Sequence, residues 1–218
     1  SHPVIAGGRL YLRSFGGLEC YDLRGPDFKA EPTPRALFDA ALAVWSPKKP
    51  APAPQLLGEG RDAAFVPTPA DVVERMLDLA EIRKTDTLFD LGSGDGRIVL
   101  RAVQRSGCLG VGYEIDAKLV EQSRTKALQL GLSESASFEK QDLFEADFSR
   151  ATVITLYLGE PNNAKLLPKL RALKPGTRIV SHAHLLGKNG PAPDKTVKVV
   201  SGEDGREREL YLWTAPLK

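Results

Sequence analysis

From Phe65 onward the apolar positions switch repeatedly between two periods, short runs that alternate or are wholly apolar and longer stripes at helical spacing. Thr68-Pro69 reads as an N-cap and first helical residue. It opens a helix to about Ile82 with Val72, Val73, Met76, Leu77 and Ala80 on its inner face. Strands are predicted at about Thr87 to Leu91, Leu109 to Glu114, Ser137 to Lys140, Ala151 to Leu158, Thr177 to His184, Lys195 to Val200 and Arg208 to Thr214. Helices are expected between each of the first five, whereas the turn GEDGRE joins the last two directly. This alternation predicts an α/β fold, a doubly wound sheet with right-handed crossovers and an antiparallel strand at its end. A ligand belongs where the strand order reverses, beyond the carboxyl end of the first strand.

The N-terminal quarter has a different texture. PVIAGGRLYLRSFGGLECYDLRG joins short apolar runs through Gly7-Gly8 and Gly16-Gly17, a pattern of three short strands and tight turns. Thr33-Pro34 then opens a second predicted helix through about Ser46, with Leu37, Phe38, Ala41, Leu42 and Trp45 on one stripe. SPKKPAPAP, residues 46–54, follows as a stiff extended linker. The expected divisions are a β segment over 1–25, helix and linker over 26–60, and the main domain over 61–218. The first segment resembles one repeat of a quinoprotein-like β-propeller. The resemblance rests on G-x-L-Y at Gly8 to Tyr11 and on the following GLECYDL at Gly17 to Leu23. One blade cannot bury its own faces. With Ser1-His2-Pro3 at the start and Met76 the lone methionine, the sequence is expected to be part of a longer protein.

Composition narrows the function classes. A net charge of +2 is too mild to argue for nucleic acid. No apolar run approaches the length that spans a bilayer, about 20 residues. Cys20 and Cys108 form neither a metal-ligand spacing nor a disulfide framework, and both read as reduced structural thiols. His182 and His184 form an H-x-H on one strand face, but a third ligand is missing nearby and no metal is expected. Between Ala164 and Lys198 eight basic residues oppose Asp194 alone, a pattern read as a solvated face.

The chemistry concentrates in LFDLGSGDGRIVL, Leu88 to Leu100. A glycine-rich turn from strand to helix ordinarily holds phosphate on backbone N–H groups. Gly92, Gly94 and Gly96 instead follow G-x-G-x-G, which is neither the dinucleotide fingerprint nor the phosphate loop, and Asp90 and Asp95 would repel an anion. The loop suits a ligand that approaches the backbone closely, lacks phosphate and carries positive charge. S-adenosylmethionine (AdoMet), with its sulfonium and ammonium, meets these terms. Asp90, Leu91, Gly92, Ser93, Gly94 and Asp95 are therefore the expected cofactor loop. Glu114, at the end of the second strand, is placed to accept from the ribose hydroxyls. Asp142 would take the adenine amino group, and Ile115, Leu143 and Phe144 the faces of the base. The Thr68 segment is the expected closure over the methionine end.

FDLGSGDGR with GYEID, QDLF and TLYL resembles the class I AdoMet-dependent methyltransferases. FVPTPADVVERMLDLA, TLYLGEPNNAKLLPKL and KPGTRIVSH narrow this to a lysine N-methyltransferase family. Its members include the mitochondrial enzymes that act on the c subunit of ATP synthase and on the adenine nucleotide translocase, together with bacterial relatives. The resemblance implies a Rossmann-like seven-stranded sheet ordered 3-2-1-4-5-7-6, AdoMet over the first two strands, and a protein lysine as acceptor. Methyl transfer needs alignment more than acid–base groups. Thr155 and Tyr157 share a face of the fourth strand by periodicity, and with Asn162 they are the expected acceptor-side residues; Asn162 alternatively caps the next helix. A small-molecule or RNA acceptor is the rival reading, and a catalytically silent AdoMet-binding module of a propeller protein is another. A cytoplasmic setting follows from the cofactor, an exported parent from the propeller likeness. The oligomeric state is not legible.

Overall fold

The computed structural model describes the backbone of residues 4–6, 9–14 and 17–22 and all of residues 65–218. The helix expected from Thr33 and the proline-rich linker lie outside the described residues. The chain divides into two units, Ser1–Ala53 and Pro54–Lys218. In the first, β1 (Val4–Ala6), β2 (Arg9–Ser14) and β3 (Gly17–Asp22) form an antiparallel meander. Val4 pairs with Tyr11, and Arg9 with Asp22.

The second unit is a seven-stranded sheet with helices on both faces. Its elements are α1 (Ala70–Leu79), β4 (Thr87–Leu91), α2 (Arg97–Ser106), β5 (Leu109–Glu114), α3 (Ala117–Gln129), β6 (Ala136–Lys140), β7 (Val153–Leu156), α4 (Glu160–Arg171), β8 (Arg178–His182), β9 (Lys195–Val200) and β10 (Glu207–Thr214). The strand order is β6-β5-β4-β7-β8-β10-β9, which is 3-2-1-4-5-7-6 counted from β4. β4 pairs in parallel with both β5 and β7, so the order reverses at β4. β10 runs antiparallel to β8 and to β9.

Strand periodicity sorts the core into two layers. Leu88, Val153, Val180 and Leu210 pack beneath α1 and α2 on one face. Phe89, Leu91, Ile154, Leu156, Ile179 and Trp213 face the other way, against Leu166 and Leu170 of α4. Polar carboxyl ends project beyond this core. They belong to β4, β5, β7 and β8, and they are where the site forms.

Three expectations need correction. No helix connects β6 to β7. In QDLFEADFSR the Asp142 carboxylate accepts from the Phe144 N–H and that of Asp147 from the Ser149 N–H, each at 2.9 Å. Such turns compete with helix formation. The fourth and fifth strands are also shorter than predicted, so that Tyr157 and His184 stand just beyond strand ends. Finally, α1 stops at Leu79, because Glu81 takes a left-handed φ of 48°.

Candidate functional site

The loop after β4 is built by the close approach of its backbone to neighbours. Gly92 and Gly94 take φ of 81° and 54°, conformations that favour glycine. A Cβ on Gly94 would stand 2.2 Å from Cε2 of Phe65, and one on Gly92 would stand 2.8 Å from Cδ2 of Leu158. The N–H groups of Gly92 and Ser93 both donate to the Tyr113 carbonyl of β5, at 2.9 Å each. Glu114 completes the brace. Its Oε2 accepts from the Gly94 N–H at 2.9 Å, and its Oε1 accepts from the N–H groups of Ile115 and Asp116 at 2.8 and 2.9 Å. The carboxylate thus ties the glycine loop to the end of β5 and still has lone pairs for hydroxyl donors.

Asp90 sits at the carboxyl end of β4, only 2% exposed, and accepts from the Thr155 hydroxyl at 2.7 Å. Burial pushes its carboxyl up to about 7 against the opposing Thr155 hydrogen bond, and the nearby Glu114 and Asp95 charges add to the rise. Leu91 is fully buried and reaches the site only through its backbone. The Ser93 hydroxyl is buried and finds no hydrogen-bond partner among the described residues.

Asp95 departs from the role expected for it. Its carboxylate takes Nε and Nη2 of Arg97 at 2.9 and 2.8 Å, and Lys126 Nζ at 3.2 Å. Burial raises this carboxyl, but the Arg97 and Lys126 contacts outweigh burial and hold it below its ordinary value. Its charge is already compensated within the protein by Arg97 and Lys126, whereas Asp90 is hydrogen-bonded to a neutral hydroxyl. Thr68 departs too. The N-cap position of α1 is Pro69 with no side-chain cap, and the Ala70 N–H goes to Glu203 Oε1 at 2.7 Å. The Thr68 hydroxyl instead lies 3.2 Å from Nδ1 of His182, and its carbonyl accepts from Arg97 Nη1 at 2.8 Å.

Of the residues expected around the base, Ile115 is 65% exposed and Leu143 half-buried, while the exposed Asp142 is engaged by the Phe144 N–H. Of the residues expected on the acceptor side, Thr155 is buried against Asp90 and Tyr157 is half-buried beyond the end of β7. The Tyr157 ring stacks on His182, with centroids 3.9 Å apart and planes 27° apart. Burial drives the Tyr157 phenol up. Burial also lowers His182 to about 4, helped by Arg208 and His184, so its imidazole is neutral. Asn162 does not cap α4; Gly159 holds the N-cap position and Asn162 lies in the first turn. Its neighbour Asn163 is the buried member of the pair.

Phe65, Arg97 and His182 were missed as site residues from sequence. Position in the strand order is the signal that could have found His182. It ends β8 directly beside β7, on the face that carries Thr155. Among the described residues no group of three or more His, Cys, Asp or Glu side chains could hold a metal ion. Cys108 is a buried free thiol, raised by burial.

The family described as the ANTKMT methyltransferase domain matches residues 90–192. A protein-lysine N-methyltransferase of Saccharolobus islandicus (strain REY15A) is 39% identical over 150 residues, which make up 68% of this chain and 92% of the relative. The chain belongs to this methyltransferase family. The human lysine N-methyltransferase of the ATP synthase c subunit is 33% identical over 139 residues, 64% of this chain and 57% of that protein. The methyltransferase therefore spans nearly all of its archaeal relative and little more than half of the human one. A crystal structure described as an RNA methyltransferase from Salinibacter ruber in complex with S-adenosyl-L-homocysteine is 49% identical. It superposes with a TM-score of 0.64 and covers 70% of this chain and 95% of that one. The residues that pattern the methyltransferase loop, Asp90 to Gly96, open the matched region.

Proposed function

We propose that the protein transfers a methyl group from AdoMet to the amine of a protein lysine. Asp90 carries the reading. A buried carboxyl raised to about 7 behind a glycine loop is unsuited to phosphate and suited to a cation. The rest of the donor set fits the same molecule: Glu114 for ribose hydroxyls, Ile115 and Leu143 for the adenine faces, Asp142 for its amino group, and the unpartnered Ser93 hydroxyl within the loop. Thr68 and Asp90 would attend the methionine end. When bound, AdoMet supplies an electrophilic methyl on a positively charged sulfur.

The chain supplies placement and desolvation. An acceptor lysine must lose its ammonium proton before transfer, a loss that desolvation inside the site favours. No general base is required, because alignment alone supplies an effective molarity worth ~7 to 11 kcal/mol. The names of the archaeal and animal relatives support lysine as acceptor. Among the described residues no helix is long and apolar enough to cross a membrane.

The description of the Salinibacter ruber neighbour favours a second reading, an RNA acceptor. Incubation with methyl-labelled AdoMet and separated protein, RNA and metabolite fractions distinguishes the two. Label in protein, recovered as methyl-lysine after acid hydrolysis, is expected. Label that only nuclease releases would transfer the proposal to RNA, and stabilisation by AdoMet without label in any fraction would reduce the protein to a binding module.

A further inference from the structure

The chain holds the H-x-H pair at the end of β8 in a costly conformation. Ala183, between the two histidines, has φ of 64°, the left-handed region that a residue with a Cβ rarely adopts. The turn is locked from several sides. The Ala183 N–H donates to the Glu209 carbonyl at 2.8 Å, and the His184 N–H folds back onto the His182 carbonyl at 2.9 Å. The Ser181 hydroxyl donates to the His184 carbonyl at 2.6 Å, and Nδ2 of the buried Asn163 donates to the Leu185 carbonyl at 3.0 Å. Backbone strain of this kind survives only where surrounding contacts over-determine it, and it concentrates at functional positions.

The turn lays the half-buried His184 ring within 20° of parallel to Tyr157, with centroids 6.2 Å apart. Tyr157 is stacked on the buried, neutral His182. Three aromatic rings from two adjacent strand ends thus form one wall beside Thr155 and Asp90. The charge at the edge of the wall, Arg208, is engaged with Asp204 through both terminal guanidinium nitrogens. A cluster of aromatic rings attracts an alkylammonium through the ring quadrupoles.

We propose that His184 is an acceptor-contacting residue, which with Tyr157 receives the alkylammonium of the incoming side chain; this rests on the methyltransferase reading of the site. The expected ligand class is a primary or methylated amine on an apolar stem.

The test uses the full chain saturated with S-adenosylhomocysteine, whose binding is first verified by a thermal shift. n-Butyltrimethylammonium, a fixed-charge probe of that class, is titrated in at about pH 8, where histidine is neutral. The ring protons of the three histidines are followed by NMR. Saturable movement of the His184 resonance is expected, with none from n-butanol. His184→Ala should weaken probe binding about 5- to 20-fold, and His184→Phe should restore it to within about 2-fold. The melting temperature and the affinity for S-adenosylhomocysteine should stay unchanged in both variants. No saturable shift, or equal binding by a folded His184→Ala, overturns the assignment while the cofactor reading stands. Failure to bind S-adenosylhomocysteine overturns the cofactor reading itself, a result read separately in the thermal shift.

Discussion

Replacing Asp90 by Asn tests the electrostatic core of the site, because it removes a titrating charge and keeps the shape. In the unfolded chain this carboxyl ionises near 3.8, and in the fold it keeps its proton to about 7. Between those values the folded state binds more protons than the unfolded one, so the stability contributed at this position falls as pH rises. At 1.36 kcal/mol for each tenfold change in proton affinity, the interval corresponds to at most about 4 kcal/mol. In a chain of this size that is about 10 °C in melting temperature. The parent without cofactor should therefore lose stability between about pH 4 and pH 7 relative to Asp90→Asn, and the difference should flatten below and above that interval.

A bound cation reverses the preference. A fixed positive charge favours the ionised form of Asp90, so binding below about pH 7 must expel a proton and the affinity for AdoMet should climb as pH rises towards that value. In Asp90→Asn the climb disappears, and affinity at about pH 8 should drop some 10- to 100-fold with the loss of a charge-assisted contact. Titration calorimetry in two buffers of different ionisation enthalpy counts the expelled proton directly. If parent and variant melt in parallel across the pH series, or if the variant binds AdoMet with the parent's pH dependence, the role given to this carboxyl is wrong.

Other expectations follow from the same geometry. Arg178 pairs with the buried Asp86 and donates to the Glu81 carbonyl at 2.8 Å; Arg178→Met should cost about 3 to 5 kcal/mol in urea unfolding, and the double variant with Asp86→Leu appreciably less. Gly96 has φ of 78° and a Cβ there would stand 2.7 Å from Phe138 Cε1, so Gly96→Ala should destabilise by about 2 to 4 kcal/mol, measured by thermal melting. Tyr157→Ala should lower kcat/KM for the acceptor by about 100-fold with AdoMet affinity unchanged, because alignment of the acceptor alone is lost.

The fold was legible because its two periods differ. The strands carry short β-branched and apolar runs, the helices carry stripes, and Thr-Pro, glycine and GEDGRE punctuate them. Loops were less legible, since their structure depends on what the carboxylates within them bind. The acids of QDLFEADFSR formed turns where a helix was expected. For the site, legibility followed sequence distance. The place of Glu114 at a strand end and the tight turn of the glycines were readable because strand ends and turn types are local properties. Asp95 is paired with Arg97, two residues on, and with Lys126, thirty-one residues away on α3, and only the first of these partners is local in sequence. Thr68 was misread because its hydroxyl meets His182, 114 residues later, and a local cap pattern carries no trace of a partner so distant. The H-x-H pair shows the converse. Spacing offered metal chemistry, and only the register of β8 against β7, which sets His182 beside Tyr157, shows a stack. Charge in a sequence motif is therefore best assigned to a ligand only after its long-range partners are known. By that standard Asp90, whose one side-chain hydrogen bond comes from a neutral hydroxyl, is the acid that needs a cation from outside the chain.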